Sequence, residues 1–132
     1  MQSWDEVAPR FAEPTIGHLA TLEPDGSPNS VPVWVHREGP DHLALFSIAG
    51  QRKDRNIVRD PRVSISVTRA GDDYAPAAVR GEVVERIEGE RAKAIVDRIS
   101  ELYTGGPYTE EGDYVAYLVR PTAWWARGYD SP

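Results

Sequence analysis

A chain of 132 residues with 40% apolar and 27% charged side chains is expected to fold as one globular domain, residues 1–132, around one core. Its net charge of −6 disfavours a general nucleic-acid binder, and the absence of cysteine excludes disulfides, thiolate catalysis and cysteine-held metal. No apolar run approaches the ~20 residues that cross a bilayer, and MQSWDEVAPRFAEP lacks the basic-then-apolar order of a secretory leader, so a cytoplasmic protein with no membrane partner is expected.

The first dozen residues read as a short helix that frays. TIGHLATL (15–22) and SVPVWVHRE (30–38) read as two strands joined by EPDGSPN, where Pro-Asp-Gly signals a turn. After a second turn at Gly39-Pro40-Asp41 come HLALFSI (42–48) and RVSISVTR (62–69), the latter alternating Val63, Ile65 and Val67 with Ser64, Ser66 and Thr68. PAAVRGEVVERI (76–87) is a longer strand in which Gly81 predicts a bend or bulge. DYVAYLVRP (113–121) and TAWWARGY (122–129) supply a sixth and a seventh strand. Between them, residues 89–105 carry Ala92, Ile95, Val96, Ile99, Leu102 and Tyr103 at helical spacing, closed by Gly105 and Gly106. Six or seven short antiparallel strands with one or two covering helices predict a mainly β protein, a small barrel. SVPVWVH and YVAYLV are apolar on both faces although a barrel interior uses one, so a second buried surface, most simply a homodimer contact, is expected.

Five of the 15 basic residues, Arg52, Lys53, Arg55, Arg59 and Arg62, fall within eleven positions. Proline disfavours helical backbone for the residue before it, so Asp60-Pro61 ends a short helix over residues 51–59. Arg52 and Lys53 then stand in its first turn, where cations oppose the helix dipole and invite an anion such as phosphate. The alternative is that Arg55, Arg59 and Arg62 form a solvated face and Asp54 neutralises the first turn.

The string Gly50-x-x-Lys53-x-Arg55-Asn56-x-x-Arg59-Asp60-Pro61-Arg62-Val63-x-Ile65-Ser66-Val67 resembles the pyridoxamine 5′-phosphate oxidase-like split β-barrel superfamily, and within it the actinobacterial branch that uses the deazaflavin coenzyme F-420. The likeness covers about residues 14–125. It implies an antiparallel Greek-key split barrel, a homodimer with two cofactor sites at its interface, and F-420 as cofactor with FMN next; relatives also bind haem. In that picture Arg52, Lys53 and Asn56, with Gln51 and Arg55 beside them, receive the cofactor phosphate. The ring lies against Ser30, Val31, Pro32, Val33 and Trp34 and against Phe46, Ser47 and Ile48, and Trp124 and Trp125 of the second copy close the pocket. Arg55 and Arg59 would suit the anionic tail of F-420. The implied activity is hydride transfer between this cofactor and a small organic acceptor, and the alternative is a non-catalytic carrier of flavin, F-420 or haem. The vitamin B6 oxidases carry a C-terminal Arg-x-His that WWARGYDSP lacks, so pyridoxamine phosphate oxidation is not expected.

No catalytic residue is nominated. His18, His36 and His42 lack metal-ligand spacing, so no metal is expected. Asp72-Asp73 reads as a solvated loop, Glu82, Glu85, Glu88 and Glu90 as a polar face, and Tyr74, Tyr114 and Tyr117 as packing. The tryptophans fit either packing or the walls of a flat ring pocket.

Overall fold

The computed structural model describes residues 2–128. Helix α1 (Trp4–Val7) runs into a 3₁₀ turn (Ala8–Ala12), followed by strands β1 (Gly17–Leu22), β2 (Pro28–Val33), β3 (His36–Glu38) and β4 (His42–Ile48). Helix α2 (Arg52–Arg59), strands β5 (Arg62–Arg69) and β6 (Asp72–Ile87), helix α3 (Gly89–Thr104) and strand β7 (Tyr114–Ala126) complete the chain. The strands form one antiparallel sheet in the order β2-β1-β5-β6-β7-β4-β3. The expected mainly β barrel architecture is therefore present. No helix among the described residues is long and apolar enough to cross a membrane.

Three elements differ from the sequence reading, each for a local reason. The stretch 30–38 is two strands, and its halves lie at opposite ends of the strand order. The chain leaves β2 at Val33 and re-enters at His36, so one segment supplies both sheet edges and carries the chain from one half of the barrel to the other. Pro28 and Pro32 are tolerated because β2 is an edge strand whose outer side donates no ladder bond. Residues 113–129 form one strand as far as Ala126, since the break expected at Pro121 is absorbed as a register shift against β6; Tyr129 lies outside the described residues. Residues 72–75 belong to β6, so the β5–β6 hairpin turns at Ala70-Gly71 and Asp72-Asp73 open a strand.

The N-terminal helix is tied down, with Val7, Ala8 and Phe11 at 0% exposure. Trp4 stacks on Phe11 at 6.2 Å and meets Trp124 at 5.5 Å. Gln2 bonds the Ala126 carbonyl, and Trp124 Nε1 donates to Gln2 O. Aromatic packing plus these bonds holds a segment that local propensity alone would leave loose.

The core has two compartments. Phe11, Leu19, Val35, Leu43, Leu45, Ile65, Val67, Val79, Val115, Tyr117 and Val119 fill the barrel. Ala92, Ile95 and Ile99 of α3 cover the other face of β4 and β7, against Ala44, Ile87 and Ala116, with Trp34, Phe46, Tyr103 and Leu118 at the margin. Much of the surplus apolar face expected to mark a subunit contact is therefore buried within the chain, by its own helix.

A buried carboxylate joins the layers. Asp54 is 3% exposed and accepts four hydrogen bonds: from Gly50 N–H at 2.8 Å, Arg86 Nε and Nη2 at 2.9 Å each, and Tyr117 Oη at 2.6 Å. Arg86 is on β6 and Tyr117 on β7, so one side chain ties the start of α2 to two strands. The Arg86 guanidinium is the largest cause holding Asp54 down, at about 2, while burial and the adjoining carboxylate drive the Tyr117 phenol far above its ordinary value. Gly50 turns the chain into α2 at φ +82°, a left-handed conformation that glycine adopts without cost.

Two outcomes follow from this packing. Asp54→Ala strands Arg86 and Tyr117 and should cost about 3–5 kcal/mol in urea denaturation, the range for breaking a buried ion pair. Because the folded carboxyl titrates at about 2 against an ordinary 3.8, its contribution is whole above pH 3.8 and is lost as pH falls toward 2, a difference of about 2 kcal/mol measurable by acid titration of stability. Gly81 sits at the register shift between β6 and β7, where a Cβ would lie 2.5 Å from the Arg120 carbonyl oxygen. Gly81→Ala should lower the melting temperature by the equivalent of about 1–3 kcal/mol, the cost of forcing backbone apart.

Candidate functional site

Helix α2 begins at Gln51, whose side chain makes no cap bond, and ends where Asp60, ahead of Pro61, turns extended at φ −141°, as expected. Its four cations, and Arg62 just after it, have different fates. Arg62 pairs with Asp60 through two bonds of 3.0 and 2.7 Å. Arg59 donates to the Leu22 carbonyl and to Asn56 Oδ1, and Arg52 reaches Glu23 at 3.0 Å while its side chain stays 64% exposed. The Arg55 side chain is exposed and, among the described residues, makes no hydrogen bond or ion pair. Lys53 is half-buried, has no partner among the described residues, and its ammonium is pushed down by desolvation. The solvated-face reading therefore describes Arg55, Arg59 and Arg62, the last two with protein partners as well, and the ligand reading narrows to Lys53 with Arg52 beside it.

Lys53 lies where two cavities meet. One, of about 250 Å³, is lined by Ile16, Pro32, Val33, Trp34, Phe46, Lys53 and Tyr108. The other, of about 410 Å³, is lined by Asn29, Val31, Gln51, Arg52 and Lys53. An aromatic chamber thus adjoins a polar, cationic one. Trp34 stacks on Tyr103 at 4.9 Å and 10°, and Phe46 and Tyr108 meet it edge-on at 6.4 and 5.9 Å. Flat apolar walls next to an unpaired cation suit a ligand with a planar ring at one end and an anion at the other.

The structure gathers Val31, Pro32, Val33, Trp34, Phe46, Gln51, Arg52 and Lys53 around these chambers. Ser30 is exposed on β2 and Ile48 is 37% exposed, whereas Ser47 is buried and bonds the Ile48 carbonyl. Asn56 points inward: its amide nitrogen bonds Thr21 Oγ1 at 3.0 Å and its oxygen receives Arg59, so the residue is spent on anchoring the helix. Trp124 and Trp125 line a different groove, with Ser64, Ala78, Val79, Arg80 and Ala123. Within one chain Trp124 is engaged by Trp4 and Gln2, and Arg127 lies over Trp125 at 5.2 Å. Sequence reasoning missed Ile16 and Tyr108, which share no motif with α2 and reach the cavity only through the fold.

A wider depression of about 580 Å³ covers the outer side of β1, β5, β6 and β7, floored by short side chains such as Ala20, Ser64 and Ala123. Of its two cations Arg62 is committed to Asp60 and Arg80 is exposed at the rim, and no aromatic ring lines it. Size alone does not make it the chemical centre; a shallow small-residue floor suits a protein surface better than a small ligand. No group of three or more acidic or histidine side chains among the described residues is arranged to hold a metal.

Comparison with known proteins finds the same fold in solved structures. A solved structure described as an F-420 reductase is 30% identical, with a TM-score of 0.77 and coverage of 95% of this chain and 98% of that one. A conserved hypothetical protein from Mycobacterium tuberculosis is 25% identical, TM-score 0.77, covering 96% and 84%. A protein of unknown function from Agrobacterium tumefaciens, 23% identical with TM-score 0.72 over 99% of this chain and 60% of that one, shares the fold. No curated protein matches the chain. The family model described as pyridoxamine 5′-phosphate oxidase matches residues 3–128. The chain belongs to the pyridoxamine 5′-phosphate oxidase family.

Proposed function

We propose that the protein is an oxidoreductase that uses a deazaflavin or flavin cofactor, F-420 in preference to FMN, to reduce or oxidise a small organic molecule. The observation that carries this reading is Lys53: a half-buried ammonium with no protein partner, between an aromatic chamber and a chamber holding Arg52 and Gln51. A buried unpaired charge is costly, so a site that keeps one is built for an anion that arrives later. The likeness at 30% identity to a structure described as an F-420 reductase supports F-420 over FMN.

In this reading Lys53 and Arg52 hold the phosphate, and Gln51 and the unpaired Arg55 lie along the path of any further anionic tail. Val31, Pro32 and Val33 supply backbone and apolar contact along the ring, while Trp34 and Phe46 wall it and exclude water. When bound, such a cofactor supplies hydride transfer at its own ring, and the protein's part is orientation and desolvation. No side chain in either chamber has the paired geometry of a general acid and base, so no catalytic proton donor is assigned.

The protein acts as a homodimer. The small-residue face of β1, β5, β6 and β7 is flat enough for a second copy, and the exposed Trp125, at 43%, stands at its margin, able to reach across the contact. The reading also carries a cytoplasmic location, where the cofactor is made and reduced.

Three measurements test this. Fluorescence titration with F-420 and FMN side by side should give tighter binding of F-420; binding of neither overturns the reading. Lys53→Ala should weaken the bound cofactor by about 1.5–3 kcal/mol, the scale of a charged hydrogen bond, and unchanged affinity removes the site. Ser64→Arg, which puts a long cation on the flat face, should turn a dimer into a monomer in sedimentation. Reduced cofactor that binds tightly but passes hydride to no acceptor would make the protein a carrier.

A further inference from the structure

Tyr103 lies on α3 and lines neither chamber. Its ring is stacked on Trp34 at 4.9 Å with 10° between the planes, so it covers one face of an indole that lines the cavity. Its hydroxyl makes three contacts: it accepts from Val35 N–H at 3.1 Å, lies 2.6 Å from the Thr15 carbonyl, and 3.1 Å from the Val35 carbonyl. A phenol has one proton, and the shorter contact makes Thr15 O its acceptor.

These contacts fall at the two strand ends that frame the cavity. Thr15 precedes Ile16, and Val35 follows Trp34; Ile16 and Trp34 are both lining residues. Val35 sits in the gap between β2 and β3, where its backbone groups lack ladder partners, and the phenol satisfies its N–H there. The phenol is held protonated, since burial raises it, so the donor is kept.

We infer that Tyr103 is a positioning residue for the ligand's ring: from outside the site it holds Trp34 and the Thr15–Ile16 rim at a fixed separation, and so sets affinity for the planar part of the ligand independently of its phosphate. This rests on the proposed flavin or deazaflavin site. The stack fixes the plane of Trp34, the hydroxyl fixes the backbone on both sides of the slot, and Lys53 acts separately on the anion. The β1–β2 ladder ends at the Gly17–Val33 pair, one position short of Ile16 and Trp34, and one side chain from the covering helix carries the constraint beyond that last rung.

The test uses wild type, Tyr103→Phe, Tyr103→Leu and Lys53→Ala, with FMN and riboflavin as probes, and F-420 with its phosphate-free deazaflavin core as the parallel pair. The ratio of affinities within a pair reports the phosphate; the affinity of the phosphate-free member reports the ring. Tyr103→Leu should weaken both members by about tenfold or more with the ratio kept within about twofold, and Tyr103→Phe, which keeps the stack and loses the hydroxyl, should fall between it and wild type. Lys53→Ala should collapse the ratio, with the larger loss falling on the phosphate-bearing member. Ring affinity unchanged in both Tyr103 variants overturns the inference, as does a fall in the ratio matching that of Lys53→Ala, which would put the effect on the phosphate; a smaller folded fraction, which weakens both members alike, is removed by titrating below the melting transition of each variant. If Tyr103→Leu does not fold, as judged by its melting curve, the Phe variant decides on the same readout. Wild type that binds no ring-bearing probe overturns the proposed function and this inference together, whereas wild type that binds normally while the Tyr103 variants match it sinks the inference alone.

Discussion

Everything near the proposed site hangs on a carboxylate that never touches it. Asp54 is adjacent in sequence to Lys53 but turns the opposite way, into the barrel, where its two oxygens take donors from Gly50, Arg86 and Tyr117. With both oxygens satisfied at 2.6–2.9 Å, the start of α2 cannot rotate without exposing a buried charge. Lys53, on the other side of the same turn, is thereby held toward the chambers. The acid also answers the helix dipole from inside, which leaves the cations of the first turn free of that duty. Tyr117, read from sequence as packing, packs and also donates the shortest of these bonds.

The remaining geometry comes from the way one segment is shared between the two ends of the sheet. Residues 28–38 start as one edge strand and finish as the other, and the interruption at Trp34 and Val35 is where the aromatic chamber opens. A continuous strand would have buried Trp34 in a ladder. An interrupted one presents the indole to a cavity, provided something else satisfies the backbone, and α3 provides it through Tyr103. The covering helix thus buries the second face of β4 and β7 and shapes the site with the same surface.

Electrostatics are local here. A molecule of net charge −6 repels anions at long range, yet its cations on and just after α2 sort into those consumed by neighbours and those left available. Arg59 and Arg62 are consumed, Arg52 is shared with Glu23, and Lys53 is available. At physiological salt the field of the whole surface is screened beyond about 8 Å, so an anion that reaches the chamber meets Lys53 rather than the distant carboxylates.

The sequence by itself determined the presence of β1 and β4, the alternation of β5, the stop of α2 at Asp60-Pro61, the irregularity at Gly81 and the closing of α3 at Gly105, because each is dictated within a few residues by sterics or by side-chain period. The motif around Lys53 was legible for the same reason. Local pattern had nothing to say about the partners that α2 finds outside its own segment, since Glu23, Leu22 and Arg86 reach it only across the fold. Nor did it reveal that 30–38 would split, that Asn56 would turn inward, or that Ile16, Tyr103 and Tyr108 would gather around Trp34. Those outcomes were decided by tertiary structure, because they depend on contacts between residues tens of positions apart, where burial and the need to pair every hidden polar group outweigh any preference written in neighbouring residues.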